Sequence, residues 1–425
     1  MISGRLKELV GSGARDELLM DIYLDESRLS YQRERYVKAI EAFERLYGEA
    51  EVSLYSAPGR SEIGGNHTDH QNGEVLAASV NVDVIAVVAA ARDGVVKIVS
   101  GDYEPIEISL DDLEKREDEE GTTKALIKGV LYAIRARGGN IGGFRAYMTS
   151  DVLVGAGLSS SAAFETIIGT IVSGLYNEMA ISPVEIAIIG KYAENVYFGK
   201  PSGLMDQMAS SVGNLVHIDF ADPEHPVIEE ISCDLGACGY SLCITDTKGS
   251  HADLTPDYAA IPAEMRAAAA VFGRELLRGV SGEELLARAV EVREKAGDRA
   301  LLRAIHFVNE NRRVEREVQA LKGGDFAAFL RIVKESGDSS FKYLQNVYTG
   351  RALQQQNVSV ALAISDNVLG DDGVSRVHGG GFAGTIQAFV RNEATARYKE
   401  AIDRVFGRDA CSVLKIRRYG GMRVL

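Results

Sequence analysis

The sequence predicts an α+β protein of two domains. At 425 residues, the chain is longer than a single hydrophobic core usually serves. Apolar residues recur at helical spacing through residues 1–48, and residues 263–323 are rich in Ala, Leu, Glu and Arg. Between these regions, residues 75–91 form an almost wholly apolar run, which is typical of a strand buried on both faces. Helical and strand segments therefore occur along the same chain.

The composition is that of a soluble globular protein, with 46% apolar residues, 25% charged residues and 8 prolines. The formal net charge of −14 argues against binding of long nucleic acids, although local groups can still hold a nucleotide. The sequence contains neither a signal-peptide pattern nor an apolar run of transmembrane length, so we expect a cytoplasmic protein without a membrane partner. The four cysteines predict buried free thiols, because their spacing fits neither a disulfide framework nor a metal site.

The predicted elements follow in order along the chain. Residues 1–48 are expected to form a helical extension packed on the first domain, residues 49–216 the first domain and residues 217–425 the second. Strands are predicted at residues 53–57, 75–91, 95–100, 144–154, 385–390 and 411–416. Helices are predicted at residues 122–137, 162–176, 183–198, 326–335 and 393–406, with two or three more within residues 263–323.

The most distinctive stretch, residues 152–165, reads V-L-V-G-A-G-L-S-S-S-A-A-F-E. A strand ends at two glycines, and three serines then open a segment of good helix formers. The first turn of a helix has unpaired backbone N–H groups and partial positive charge, while glycines allow close approach of a bound group. Residues 155–161, the glycine–serine turn, therefore suit a phosphate. A capped helix packed on a sheet is the alternative, and the Walker pattern is absent because no Gly-Lys-Ser/Thr follows.

A second polar motif lies at residues 64–73, G-G-N-H-T-D-H-Q-N-G, which we name the polar loop. It contains more donors and acceptors than a turn needs for its own backbone, and sugar hydroxyls have the matching pattern. The alternative is a surface turn that caps itself. His67 and His70 are also spaced as metal ligands, but no third ligand at useful spacing accompanies them.

Three charged residues near these motifs are candidates for phosphate chemistry. Arg60 follows a Pro-Gly turn, where a guanidinium can neutralise a transferring phosphoryl group or lower the pKa of a nearby carboxylate. Asp206 stands near a predicted helix start and can orient or deprotonate an attacking hydroxyl. Glu194 lies on the preceding helix, where it can reach Mg²⁺. Each has an ordinary alternative: a solvated arginine, a helix-terminal charge or an exposed glutamate.

Together these motifs resemble those of the GHMP small-molecule kinases, and within them the galactokinases. A-P-G-R at residues 57–60 and H-T-D at residues 67–69 precede G-A-G-L-S-S-S-A-A at 155–163, G-L-M-D-Q at 203–207 and G-G-G-F-A-G at 379–384. The order and spacing match the family, with weaker similarity at residues 193–195, 306–314 and 336–348. The resemblance covers residues 52–425, and the H-T-D motif is its most specific part, because mevalonate and homoserine kinases lack it.

The resemblance implies a ribosomal-S5-domain-2-like N-terminal domain, a ferredoxin-like C-terminal domain and an active site in the cleft between them. It implies ATP and Mg²⁺ as cofactors and a small sugar as acceptor, phosphorylated at the anomeric hydroxyl. The expected substrate is D-galactose or a close relative. We expect a monomer or a weak homo-oligomer with no nucleic-acid partner.

The resemblance also implies a role for each matched residue. Asp206 is similar to the family's catalytic aspartate and Arg60 to the arginine beside it. The positions that bind the sugar correspond to Asn66, His67, Asp69, Gly203 and Tyr258. The phosphate loop corresponds to Gly155, Ala156, Gly157, Leu158, Ser159, Ser160 and Ser161, and the magnesium positions to Ser161 and Glu194.

The chain departs from the family at several positions. Asn66 replaces the usual glutamate before the histidine, which removes a negative charge near the sugar C6 group. H-Q-N-G at residues 70–73 resembles a galacturonate-kinase branch, so galacturonate is an alternative substrate. Leu153 stands where proline is usual, and the asparagine and arginines that normally follow Tyr258 are absent. A non-catalytic sugar and ATP sensor on the same fold is a further alternative, against which Asp206, Arg60 and the three serines argue.

Overall fold

The computed structural model describes residues 1–101, 103–152, 157–200, 202–249 and 254–425. Two β-sheets and the helices around them form an α+β structure, as predicted. The strands are β1 (Ser53–Gly64), β2 (Glu74–Ala91), β3 (Val95–Ser100), β4 (Ile106–Ser109), β5 (Gly143–Ser150), β6 (Leu215–Asp219), β7 (Val227–Ile231), β8 (Tyr240–Asp246), β9 (Gly373–His378), β10 (Thr385–Arg391), β11 (Cys411–Leu414) and β12 (Met422–Arg423). No helix of the described residues is long and apolar enough to cross a membrane.

The first 48 residues form three helices, α1 (Ser3–Gly11), α2 (Asp16–Tyr23) and α3 (Leu29–Tyr47). Their apolar faces and one face of the first sheet make a single buried cluster, because neither face alone can remove its side chains from water. The cluster comprises Leu6, Val10, Leu19, Ile22, Tyr23, Tyr36, Ala39, Ile40 and Phe43 of the helices, with Val52, Leu54, Ile85, Val87, Ala89 and Val424.

The first sheet has the strand order β12-β1-β2-β5-β3-β4, with β6 paired to β2 and β7 to β6. All pairs are antiparallel except β3 with β5. The apolar run that predicted a doubly buried strand is β2, which is buried along nearly its whole length. Helices α4 (Thr123–Ala136), α5 (Ser160–Tyr176) and α6 (Pro183–Tyr192) cover the second face of this sheet. Helix α7 (Met205–Val212) packs in a separate cluster with Val75 and Ala77 of β2 and Val216 and Ile218 of β6.

The second sheet is antiparallel, with the order β11-β8-β10-β9. In chain order these are its fourth, first, third and second strands, as in ferredoxin-like sheets. Its helices are α8 (Thr255–Val271), α9 (Gly282–Ala287), α10 (Ala289–Ala296), α11 (Asp298–Lys322), α12 (Phe326–Ser339), α13 (Asn357–Leu369) and α14 (Thr395–Phe406). Residues 263–323 thus contain parts of four helices, where the sequence predicted two or three.

The chain crosses between the two sheets twice. Strands β6 and β7 extend the first sheet to Ile231, so the sheet continues past the predicted domain boundary at residue 216. After β11 the chain returns, and β12 pairs with β1. Hydrogen bonds of this kind join segments distant in sequence, which local patterns cannot reveal. The cysteine prediction is right for Cys243 and Cys411, which are buried and free, whereas free Cys238 is exposed because it lies in the turn before β8.

Asp83 of β2 joins the helical extension, the first sheet and the returning C-terminal segment. Its Oδ1 accepts a hydrogen bond from Arg35 Nη1 on α3 at 2.6 Å. Its Oδ2 accepts from Arg417 Nη1 at 2.9 Å, from the Tyr23 hydroxyl at 2.8 Å and from the Ser56 hydroxyl. Burial raises the pKa of Asp83, but the charges of Arg35 and Arg417 outweigh it, so the pKa lies below its usual value. An ionised carboxylate therefore lies at the centre of this junction.

We predict that Arg35→Met lowers the free energy of unfolding at pH 7 by about 3 to 5 kcal/mol, because buried Asp83 loses one of its two cationic partners. Urea denaturation measures the change. The control is Lys38→Met on the same helix, which removes only an exposed pair with Glu34 and should cost less than about 1 kcal/mol.

The same pair of variants has a predictable pH dependence. The folded pKa of Asp83 lies below its unfolded value of about 3.9, so its contribution is complete above that pH and is lost as the pH falls through the folded pKa. The difference between the two variants should therefore shrink in acid. Equal stabilities of Arg35→Met and Lys38→Met at pH 7 would contradict this account.

Candidate active site

Arg60 and Asp206 form a two-pronged ion pair between β1 and the first turn of α7. Arg60 Nε lies 2.7 Å from Asp206 Oδ1, and Arg60 Nη2 lies 2.8 Å from Oδ2. Such a pair fixes the planes of both groups, since the guanidinium fork matches the carboxylate geometry. The Arg60 side chain is 9% exposed and that of Asp206 28%, so the aspartate is the member that a substrate can reach.

The environment of Asp206 keeps it ionised. Burial raises its pKa, but the charge of Arg60 and hydrogen bonds from Arg60 and Ser159 outweigh this effect, so the pKa lies below its usual value. Asp206 is thus a carboxylate at neutral pH and a weak base in the free protein.

The described part of the glycine–serine turn lies directly against this ion pair. Ser159 Oγ donates to Asp206 Oδ2 at 2.7 Å, and Arg60 Nη1 donates to the Gly157 carbonyl. The Arg60 backbone N–H donates to the Leu158 carbonyl at 3.0 Å. Helix α5 then begins at Ser160, two residues before the predicted start at residue 162, so two of the three serines lie within the helix. Gly155 and Ala156 of the predicted phosphate loop, like Leu153, lie outside the described residues.

Gly157 allows the turn to approach the second sheet. Its φ is +69°, and a Cβ at this position would overlap Thr385 Oγ1 on β10. Ser159 is also left-handed, with φ of +55°. A left-handed backbone is unfavourable for a residue with a side chain and marks a position held by its surroundings. Both sheets therefore fix the shape of this turn.

The predicted magnesium positions, Ser161 and Glu194, are adjacent. Ser161 Oγ lies 3.1 Å from Glu194 Oε1, and Glu194 is buried in a π-helical turn after α6. Lys200 Nζ lies 2.7 Å from the same oxygen, and Gln207 Nε2 donates to Glu194 Oε2 at 2.8 Å. A hydroxyl and a carboxylate oxygen beside the first turn of α5 are the kinds of ligand that Mg²⁺ prefers.

His67 of the polar loop presents an unpartnered nitrogen. Its Nε2 lies 3.0 Å from the Gly380 carbonyl, which can only accept, so Nε2 carries the proton. Its Nδ1 is buried and has no hydrogen-bond partner among the described residues. Burial, followed by the charge of His70, lowers the pKa of His67 to about 4. The neutral ring therefore offers one acceptor at Nδ1.

Asp69, also of the polar loop, lies against the segment that leads into α7. A Cβ at Gly203 would overlap Asp69 Oδ2, which explains a glycine at this position. The two residues border a cavity of about 190 Å³. The cavity is lined by Asp69, His70, Asn72, Lys191, Ser202, Gly203, Leu204, Phe220 and Pro223. The Asp69 charge also contributes to the raised pKa of Arg60, so the polar loop and the ion pair share one electrostatic environment.

Asn66 is fully buried, and its side chain is occupied by protein groups. Its Nδ2 donates to Glu62 Oε1 at 3.0 Å and to the Gly379 carbonyl at 2.8 Å. Its Oδ1 accepts from Asn346 Nδ2 at 2.9 Å and from Ser340 Oγ at 3.2 Å. The sequence identified Asn66 but not the Glu62 carboxylate beside it, which also pairs with buried Arg376.

Tyr258 of α8 contacts the G-G-G-F-A-G motif of the second sheet. Its hydroxyl donates to the Gly381 carbonyl at 2.8 Å, and its ring meets Phe382 edge to face. Burial raises its pKa to about 12. The motif, which also accepts from Asn66 and contacts His67, therefore connects the polar loop to the second sheet.

The fold and these contacts agree with the sequence comparisons on the class of protein. A model described as GHMP kinases N terminal domain matches residues 125–214, which include the glycine–serine turn, Glu194 and Asp206. The chain is therefore a kinase of the GHMP class, which transfers phosphate to an alcohol group and uses ATP.

A second model, described as galactokinase galactose-binding signature, matches residues 41–90. The galactokinase of Streptomyces coelicolor (strain ATCC BAA-471 / A3(2) / M145) is 32% identical over 86% of this chain and 92% of that protein. The galactokinase of Glaesserella parasuis serovar 5 (strain SH0165) is 32% identical over 85% of this chain and 91% of its own length. The chain belongs to the galactokinase family, which confirms the resemblance drawn from its motifs.

A solved structure shares the fold. The crystal structure of Lactococcus lactis galactokinase complexed with galactose superposes with a TM-score of 0.76 at 23% identity. The match covers 90% of this chain and 98% of that one, so the two proteins share their fold over most of their length.

We predict that Arg60→Met raises the pKa of Asp206 above the usual value of about 3.9, because burial then acts without the guanidinium charge. Carboxyl ¹³C NMR titration of the labelled protein measures the shift. Lys200→Met is the control, since Lys200 lowers the same pKa less than Arg60 does and its loss should shift it less. A pKa that stays below its usual value in Arg60→Met would contradict the arrangement.

Proposed function

We propose that this protein transfers the γ-phosphoryl group of ATP to the anomeric hydroxyl of D-galactose, giving α-D-galactose 1-phosphate. The observation that carries the proposal is the contact of Asp206 with both Arg60 and Ser159, at the junction of the glycine–serine turn and α7. A carboxylate fixed beside a helix N-terminus places the acceptor hydroxyl next to bound phosphates. Membership of the galactokinase family supports galactose as the acceptor.

In this mechanism the protein acts by positioning and electrostatics. The backbone N–H groups at the start of α5 and the Ser160 hydroxyl bind phosphate oxygens, while the Ser159 hydroxyl stays on Asp206. Asp206 accepts a hydrogen bond from the attacking hydroxyl and aligns its oxygen with phosphorus. Its low pKa makes it a weak base, so it takes the proton late, as the new O–P bond makes that hydroxyl more acidic. Arg60 holds Asp206 in place and offsets negative charge on the phosphoryl group.

Mg²⁺ fits Ser161 and Glu194, which supply a hydroxyl and a buried carboxylate beside the phosphate-binding turn. Held by these two residues, Mg²⁺ would supply positive charge that offsets the negative charge of the phosphates during transfer. The Lys200 ammonium contacts the same carboxylate, and 56% of the Lys200 side chain is exposed, so it can withdraw toward solvent as the metal binds.

The sugar is held, in our proposal, by the polar loop and by residues on either side of it. His67 Nδ1 accepts a hydrogen bond from one sugar hydroxyl, and the Asp69 carboxylate accepts from another. Gly203 leaves room for Asp69, and Tyr258 of α8 borders the site beside the G-G-G-F-A-G motif. In Tyr258 the ring and the hydroxyl both contact the G-G-G-F-A-G motif, so the residue also fixes the shape of that motif.

Galactose is favoured over galacturonate by the surroundings of Asn66. The uronate alternative needs an Asn66 amide hydrogen for the C6 carboxylate, but both hydrogens are donated to Glu62 and Gly379. Glu62 also places a carboxyl group beside Asn66, with its Oε1 3.0 Å from Asn66 Nδ2. Burial raises the pKa of Glu62 to about 7, although the charge of Arg376 acts to lower it.

A coupled assay with ATP and either sugar tests the proposal. We expect turnover of D-galactose, a product with phosphate on C1 by ¹³C and ³¹P NMR, and no turnover of D-galacturonate. Asp206→Asn should fold and lose about a hundredfold or more in kcat, because it can neither orient nor deprotonate the hydroxyl as the carboxylate does. Binding of galactose and ATP without transfer would instead support a sensor, and turnover of galacturonate alone would support a uronate kinase.

A further inference from the structure

The backbone of the polar loop is held from outside the first sheet, by helix α11 and its neighbours. The carboxylate of Glu310 accepts from the N–H groups of Gly65 and Asn66 at 3.2 and 3.4 Å. Directly after the far end of the loop, Asn311 Oδ1 accepts from the Glu74 N–H, the first of β2, at 2.9 Å. Helix α11 thus contacts both ends of the loop that carries His67 and Asp69.

A second α11 residue completes this contact. His306 Nε2 donates to the Asn66 carbonyl at 2.9 Å, and His306 Nδ1 accepts from Ser339 Oγ on α12 at 2.9 Å. Burial lowers the pKa of His306, so the ring is neutral and its single N–H faces Asn66. Glu310 therefore accepts from the N–H groups of Gly65 and Asn66, and His306 donates to the carbonyl of Asn66.

The loop needs such support because its own backbone is unfavourable. His67 has φ of +61° and Asn72 has φ of +55°, both in the left-handed region. Each such residue costs about 1 kcal/mol or more and persists only where its surroundings fix it. The first of these residues is His67, which directly follows the peptide groups bound by Glu310.

Glu310 is well suited to this task. It is fully buried, and its Oε2 lies 2.7 Å from Arg313 Nε while Ser336 Oγ donates to its Oε1. Burial raises its pKa, but the charges of Arg313 and Arg376 and the hydrogen bond from Ser336 outweigh this effect and hold the pKa below its usual value. Every group that contacts the carboxylate is a donor, so an ionised acceptor is the only form that satisfies them all.

We infer that Glu310 is a positioning residue for the sugar site, which fixes the polar loop so that His67 and Asp69 meet the substrate in one orientation. The inference rests on the proposed function, because it assigns to Glu310, in the second half of the chain, a part in sugar binding. Glu310 itself is buried behind the loop and acts through Gly65 and Asn66.

Glu317 provides a matched comparison on the same helix. It is also fully buried, two turns farther along, and near Gly64. Neither of its carboxyl oxygens has a hydrogen-bond partner among the described residues, and burial, followed by the charge of Glu310, raises its pKa well above the usual value. The raised pKa favours the protonated, neutral form of Glu317, and its carboxyl group makes no hydrogen bond to the polar loop among the described residues. A glutamine side chain has nearly the same shape and charge as this neutral form.

The test is steady-state kinetics of Glu310→Gln against Glu317→Gln. The side-chain amide of glutamine at position 310 has two orientations. In one its NH₂ group faces the Arg313 donor, and in the other it faces the N–H groups of Gly65 and Asn66, so a donor meets a donor in both. We expect Glu310→Gln to raise the KM for galactose at least roughly tenfold, which corresponds to about 1.4 kcal/mol, with the KM for ATP unchanged. Glu317→Gln should keep both KM values, and Ser336→Ala, which removes one bond to Glu310, should raise the galactose KM less.

This pattern separates positioning from general stability, because a partly unfolded enzyme loses apparent kcat while both KM values stay the same. A folded Glu310→Gln enzyme whose galactose KM is within twofold of wild type overturns the inference. Hydrogen exchange supplies a readout that needs no substrate: peptides covering residues 64–73 should exchange faster in Glu310→Gln, with those of β5 unchanged. If the wild type fails to phosphorylate galactose, the proposed function fails, and unchanged exchange of the loop would then overturn the inference by itself.

Discussion

The ion pair of Arg60 and Asp206 is the constraint around which the rest of the site is arranged. Arg60 comes from a bulged strand and Asp206 from the first turn of a helix 146 residues later, so the pair fixes the strand against the helix. The same guanidinium binds the carbonyl of Gly157, which places the glycine–serine turn on the pair. A salt bridge on the surface would be worth little, but a partly buried two-pronged pair sets geometry at the level that phosphoryl transfer requires.

Buried charges serve the same purpose elsewhere in the molecule. Asp83 joins three segments distant in sequence, and Glu310 joins the polar loop to α11. In each case a carboxylate accepts from arginine and from hydroxyl or backbone donors. Apolar packing stabilises the sheets without direction, whereas these bonds form only in one arrangement of the segments. In our proposal, ionised groups therefore fix the positions of the substrate-binding residues, and most of these groups do not themselves contact the substrate.

Local patterns in the sequence predicted the elements well but their partners poorly. The apolar run of β2, the helical spacing of residues 1–48 and the serines that open α5 each reflect interactions within a few residues. Motif order then indicated that Arg60 and Asp206 belong to one site. The contact of Asn66 with Glu62, and the roles of Asp83 and Glu310, depend on pairing between distant segments. Only the spacing of His306, Glu310 and Arg313 on one helical face hinted that α11 contributes polar groups.

The central claim is that Asp206 orients the anomeric hydroxyl of galactose toward the γ-phosphate of ATP. A crystal structure of the protein with galactose, Mg²⁺ and a non-hydrolysable ATP analogue measures this directly. We predict the C1 hydroxyl within hydrogen-bond distance of the Asp206 carboxylate, about 2.6 to 3.2 Å, and in line with the γ-phosphorus. A sugar bound with another hydroxyl beside Asp206, or with C1 turned away from the glycine–serine turn, would contradict the account.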